Sequence, residues 1–201
     1  TDLDLIATED SVFQGWLTAF ASDGIEGAVK WAFENNLSNE LHRVREVLGS
    51  DRAALVSHLS DFFPADIGIM ISLLMEHVVL QPGEALFLPA GNIHAYVSGL
   101  GVEVMASSDN VLRGGLTQKL IDVPELMKVL DFAPIGQPRV VTRKLANGLT
   151  QYPADVSDFS VYAVEVGGAN MLIDLELTGS MIALCTAGEL EISTSQDEYL
   201  K

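Results

Sequence analysis

The sequence predicts a mainly β chain with an α-helical N-terminal part. Two observations carry that prediction. Before residue 66 the apolar residues recur at helical spacing; after it, short apolar runs alternate with Gly and Pro turns, the pattern of a β-sandwich or jelly roll. A third observation concerns function: a polar loop followed by Arg113, two glycines and Lys119 interrupts the β pattern in an otherwise acidic chain.

In the first part, Trp16, Phe20, Ile25, Val29, Trp31, Phe33 and Leu37 fall on helix faces, with Gly24 and Gly27 as breaks. Ser38 or Asn39 can cap a second helix, and Ser50 or Asp51 a third whose buried stripe is Leu55, Leu59, Phe62 and Phe63; Pro64 ends it. Residues 67–74 are apolar throughout and suit either a strand or a buried helix. Residues 77–80 run into a Pro82-Gly83 turn, residues 85–89 form a second short strand, and 95–97 and 102–105 follow as strands. Residues 123–132 read as one helix, with Asp122 as N-cap, Pro124 in the first turn and Glu125 at the positive end of the dipole. Strands are expected again over 139–143, 159–165, 170–177, 182–187 and 189–193, with a turn at Gly188. Two β regions joined by a helix suggest two modules.

The chain has 201 residues, 48% hydrophobic and 19% charged, enough to build a core and too apolar for global disorder. Its formal net charge of −17 argues against nucleic acid as a partner. An anionic ligand would require basic residues gathered locally. The single cysteine, Cys185, excludes an internal disulfide and reads as a small core residue in an apolar run. No signal peptide or membrane span is legible, so a soluble cytoplasmic protein is expected. The oligomeric state is left open.

The chemistry-bearing residues lie between Leu80 and Asp122. Pro82-Gly83-Glu84, Leu88-Pro89-Ala90-Gly91 and His94-Ala95-Tyr96 resemble the cupin pattern, in which a turn and a strand present a histidine to the interior of a barrel. With Glu103-Val104-Met105-Ala106 and the run from Ser108 to Lys119, this stretch is similar to the signature of type I mannose-6-phosphate isomerases, most clearly over residues 66–130. The resemblance implies a cupin-like jelly roll, zinc as cofactor, a hexose phosphate as substrate, and interconversion of mannose 6-phosphate and fructose 6-phosphate through an enediol. It makes His94 a zinc ligand and Tyr96 a pocket-lining, substrate-binding residue. It places Arg113 and Lys119 at the substrate as its cationic groups and makes Arg113, Lys119, Glu103 and Asp109 the catalytic set, with the base left open between the two carboxylates.

The chain departs from that family in one respect. The family's earlier ligands, a Gln-x-His pair and a glutamate, have no match: Gln14 is followed by Gly15 and Trp16, His42 and His58 lie in helical surroundings without a glutamine partner, and His77 falls on the strand just before that of His94. The expectation is therefore a piece of the enzyme, incomplete at both ends, that holds no zinc alone. Residues 1–65 would be a helical subdomain, 66–122 strands of the catalytic cupin barrel, and 123–201 a connecting helix with a second cupin-like module. The alternatives are a non-catalytic sugar-phosphate binding module and a structural or oligomerisation piece.

Overall fold

The computed structural model describes residues 11–35, 37, 41–107, 111–167, 171–176, 179–189 and 191–193. The chain divides into two compact units, residues 1–139 and 140–201. Among the described residues no helix is long and apolar enough to cross a membrane.

The first unit is built on helices α1 (Ser11–Asn35), α2 (Leu41–Val47), α3 (Ser50–Phe62) and α4 (Ile67–Ser72). Helix α1 is broken at Asp23 and Gly24, where Gly24 takes φ 63° and ψ −148°. Of the two glycines expected to break it, only Gly24 does. The halves contact each other: the indole Nε1–H of buried Trp16 donates to the Ala28 carbonyl at 2.9 Å, and Trp31 lies against Gly15 where any Cβ would stand. Phe13, Trp16, Ala28, Ala32, Leu37, Val44, Val56, Leu59, Ile69 and Met70 then form one core.

Helix α3 departs from its expected face. Its N-cap is Gly49, without a side-chain cap, and Leu55, Val56 and Leu59 are its buried residues. Phe62 is 67% exposed and meets the ring of His58, centroids 5.1 Å apart. The apolar run at 67–74 resolves as buried helix: α4 is capped by Asp66 and hides Gly68, Ile69, Met70 and Ile71. The helix expected over 123–132 is shorter, α5 (Val123–Val129), capped by Asp122 accepting from the Glu125 amide. Past its end the chain is extended and bonds to the loop at Gly91. Leu130 is extended, and the Asp131 N–H donates to the Gly91 carbonyl at 2.9 Å.

The β expectations fare unevenly. Segments 77–80, 85–89, 95–97 and 102–105 make no ladder among the described residues; the pairing found is one antiparallel bridge, Leu86 with Arg139. Their sequences are strand-like, yet a strand exists only through a neighbour's backbone hydrogen bonds, and Tyr96, Val102, Val104 and Met105 are exposed. The described part of the first unit is consequently helical, not mainly β. The second unit carries a three-stranded antiparallel sheet, β1 (Arg143–Ala146), β2 (Leu149–Tyr152) and β3 (Val161–Val164), with β2 central. Strand β2 was not expected; it pairs with β1 through an Asn147-Gly148 turn, Gly148 at φ 74°. The described parts of 182–187 and 189–193 form no ladder, and Cys185 is exposed rather than core, its thiol directed at the Ala187 and Gly188 carbonyls. Residues 38 and 39, the expected caps of α2, lie outside the described residues, as do the ends of the run 170–177.

A Cβ on Gly24 would meet no atom within 4 Å, so the cost of substituting it is purely that of the backbone. Gly24→Ala should destabilise the chain by roughly 1–3 kcal/mol, the usual cost of a non-glycine residue in that region of φ/ψ. Urea denaturation measures it; an unchanged midpoint would mean that the break tolerates a side chain.

Candidate functional site

Two tight turns of the same kind shape the approach to the site. At Gln81-Pro82-Gly83-Glu84 the Glu84 N–H donates to the Gln81 carbonyl at 2.9 Å, with Gly83 at φ 85°. At Pro89-Ala90-Gly91-Asn92 the Asn92 N–H donates to Pro89 at 3.3 Å, with Gly91 at φ 80°. Both place glycine third, where a type II turn demands positive φ. The first turn is braced by Glu84, whose carboxylate accepts from its own turn at the Gln81 N–H and from Arg139, each at 2.8 Å. Arg139 also donates to the Val79 carbonyl at 2.9 Å. The Gln81 amide and the Arg139 guanidinium hold the Glu84 carboxyl below its ordinary range.

The second turn delivers His94. Its Nδ1 lies 2.9 Å from the Asn92 carbonyl oxygen. A carbonyl only accepts, so Nδ1 donates to it, and in the neutral ring that leaves the lone pair on Nε2, on an exposed ring. That is the tautomer a metal-binding histidine needs, held by the kind of backbone contact that orients such ligands. Two residues on, Tyr96 is 72% exposed. Partial desolvation of its hydroxyl and the Glu103 carboxylate, which accepts its hydrogen bond, raise it above its ordinary 10.0. The structure thus brings Tyr96 and Glu103 together. Val97 fastens this segment to the helices: its side chain packs on the core and its carbonyl lies 3.4 Å from Nε2 of His58 on α3.

The Arg113–Lys119 segment is held by its backbone, from a residue the sequence pattern did not single out. Asp66, the cap of α4, accepts from the Gly68 N–H at 2.7 Å and from the Leu116 N–H at 2.9 Å on Oδ1, and from the Thr117 N–H at 3.3 Å on Oδ2. Gly115 presses against Gly68 so closely that a Cβ on it would stand 2.7 Å from the Gly68 nitrogen. Gly114 is likewise covered by Ile93, leaving no room for a side chain. Ala65 (φ 58°) and Leu116 (φ 51°) adopt left-handed backbone on either side of this junction, at a cost on the order of 1 kcal/mol each for non-glycine residues. Such strain persists only where the surroundings over-determine the chain.

Arg113 and Lys119 are exposed, and neither forms an ion pair with a described residue. The Lys119 N–H donates to the Thr117 hydroxyl at 3.1 Å. Asp109 lies outside the described residues. Among the described residues no group of three or more His, Cys, Asp or Glu stands close enough to hold a metal ion; His94 is a single donor.

No family model matches the chain. Curated proteins do. Mannose-6-phosphate isomerase of Escherichia coli is 38% identical over 145 residues, 71% of this chain and 37% of that protein. The Emericella nidulans enzyme of the same name is 36% identical over 160 residues, 72% of this chain and 34% of that protein. Among solved structures, the apo form of mannose 6-phosphate isomerase from Salmonella typhimurium superposes with a TM-score of 0.61 at 32% identity, covering 80% of this chain and 43% of that one. The chain spans about a third of the length of the curated relatives it matches.

The Tyr96–Glu103 pair is directly testable. Glu103→Gln removes the charge that opposes the phenolate, so the Tyr96 hydroxyl should titrate lower, closer to 10.0. Ultraviolet pH titration, with Tyr96→Phe identifying the signal, reads this out. An unmoved titration would separate the two side chains.

Proposed function

Because this chain belongs to the mannose-6-phosphate isomerase family, we propose that it supplies the substrate-facing part of an aldose–ketose isomerase acting on mannose 6-phosphate and fructose 6-phosphate. The observation that carries the proposal is the seating of His94: its Nδ1 lies 2.9 Å from the Asn92 carbonyl oxygen, a contact that in the neutral ring leaves the Nε2 lone pair for a metal. In this reading residues 66–122 belong to the catalytic cupin barrel, residues 1–65 are its helical subdomain, and residues 123–201 are a connecting helix with a second cupin-like module.

The reaction moves a proton between C1 and C2 of the sugar through an enediol. It needs a base at the carbon, donors for the oxygens and cations for the phosphate or the developing enediolate. Arg113 suits a bidentate grip on such oxygens, and Lys119 adds local positive potential in a chain of net charge −17. Glu103 orients the Tyr96 hydroxyl toward the substrate or relays a proton, and Asp109 is the second carboxylate available for that relay. Zinc, when bound, supplies Lewis acidity. His94 fits one position of a tetrahedral site, and among the described residues no group of three or more His, Cys, Asp or Glu completes it.

The test is a chimera in which this chain replaces the matching segment of the Escherichia coli enzyme. It should interconvert the two sugar phosphates, and Arg113→Ala should lower kcat/KM by about 100-fold or more, in line with loss of a charged donor to developing negative charge. A folded chimera that binds mannose 6-phosphate without turnover would favour the sugar-phosphate binding module instead. Full turnover in Arg113→Ala would remove Arg113 from the mechanism.

A further inference from the structure

We propose that Asp66 is a positioning residue: it grips the backbone of Leu116 and Thr117 and so fixes the segment that carries Arg113 and Lys119 for the substrate. The proposal rests on the sugar-phosphate reading above and deepens it. Capping α4 requires the Gly68 N–H alone, and Asp66 accepts it. Its two further bonds reach fifty and fifty-one residues along the chain, into the stretch bracketed by the two cations. Both go to main-chain N–H groups. The carboxylate is thereby satisfied without an ion pair to Arg113 or Lys119, and both side chains remain available to an anion.

The surroundings agree with a grip that sets geometry. Gly68 and Gly115 have their backbones in contact, which only a pair of residues without side chains permits. Leu116, the first residue gripped, is left-handed at φ 51°, a conformation it would leave if released. Its side chain packs on the helical core. The position of the segment is thus fixed from three sides, by hydrogen bonds, backbone contact and apolar packing, while its two long cations are exposed and form no ion pair with a described residue.

Asp66→Ser separates the two duties. Serine caps a helix about as well as aspartate, yet its hydroxyl is too short to serve Leu116 and Thr117 as well. In the chain itself, amide hydrogen exchange at Leu116 and Thr117 should quicken by about tenfold or more in this variant, as expected when a bond to a charged acceptor is lost, with the Met70 amide unchanged. In the chimera, Asp66→Ser should lower kcat/KM by about 10–100-fold, and its further cost in the Arg113→Ala background should be smaller than in the parent, because Lys119 is then the one cation of the segment left to misplace. Asp66→Asn, which keeps the Oδ1 acceptor, should recover most of the loss. Unchanged exchange at Leu116 overturns the grip. Full activity in Asp66→Ser, or a cost that adds in full to that of Arg113→Ala, overturns the positioning role while leaving the sugar-phosphate reading intact. A silent Arg113→Ala removes Arg113 from the mechanism and overturns the positioning role, while a folded chimera that neither binds nor turns over mannose 6-phosphate overturns the sugar-phosphate reading itself.

Discussion

One carboxylate joins the helical core of the first unit to the segment that carries Arg113 and Lys119. Asp66 stands where α3 has ended at Phe63 and Pro64 and where α4 begins, and its oxygens accept three main-chain N–H groups, two of them in the Arg113–Lys119 segment. An amide that loses such a partner in a part-buried place costs about 1–3 kcal/mol, comparable to the strain held in the left-handed residues Ala65 and Leu116. The helices therefore do more than fill space: they supply the ledge to which the Arg113–Lys119 segment is tied.

A second set of ties serves the histidine. The turn ending at Asn92 sets the His94 ring, Val97 anchors the following residues to α3 and the core, and Gly114 receives Ile93. Leu126 of α5 stands close by, 3.8 Å from where a Gly114 Cβ would be. These contacts place His94 and the cationic segment on one scaffold although they are nineteen or more residues apart in the chain. Strand pairing contributes one bridge at this place, between Leu86 and Arg139, reinforced by the Glu84–Arg139 ion pair.

Sequence periodicity recovered the helices well because their apolar faces pack locally: Trp16, Val29, Leu55 and Leu59 are buried as their spacing predicts. It missed on faces that depend on neighbours, so Phe62 was expected inside and is exposed. The strand-like segments 95–97 and 102–105 showed the limit of propensity, since alternation describes a strand's faces and says nothing of the partner that completes it. The Asn147-Gly148 hairpin was legible and overlooked; those two residues are the strongest local hairpin signal. Of the site, the motif residues stood out by type and spacing. Asp66 did not, because its function lies in main-chain groups fifty residues away, although an aspartate just before a glycine-containing apolar run is a recognisable cap.

The account turns on which nitrogen His94 offers. The direct measurement is zinc anomalous scattering from crystals of the chimera with the Escherichia coli enzyme. The account predicts a zinc peak at Nε2 of His94, with Nδ1 still on the Asn92 carbonyl. A peak at Nδ1 with the Asn92 contact broken, or zinc bound with His94 outside its ligands, would contradict it.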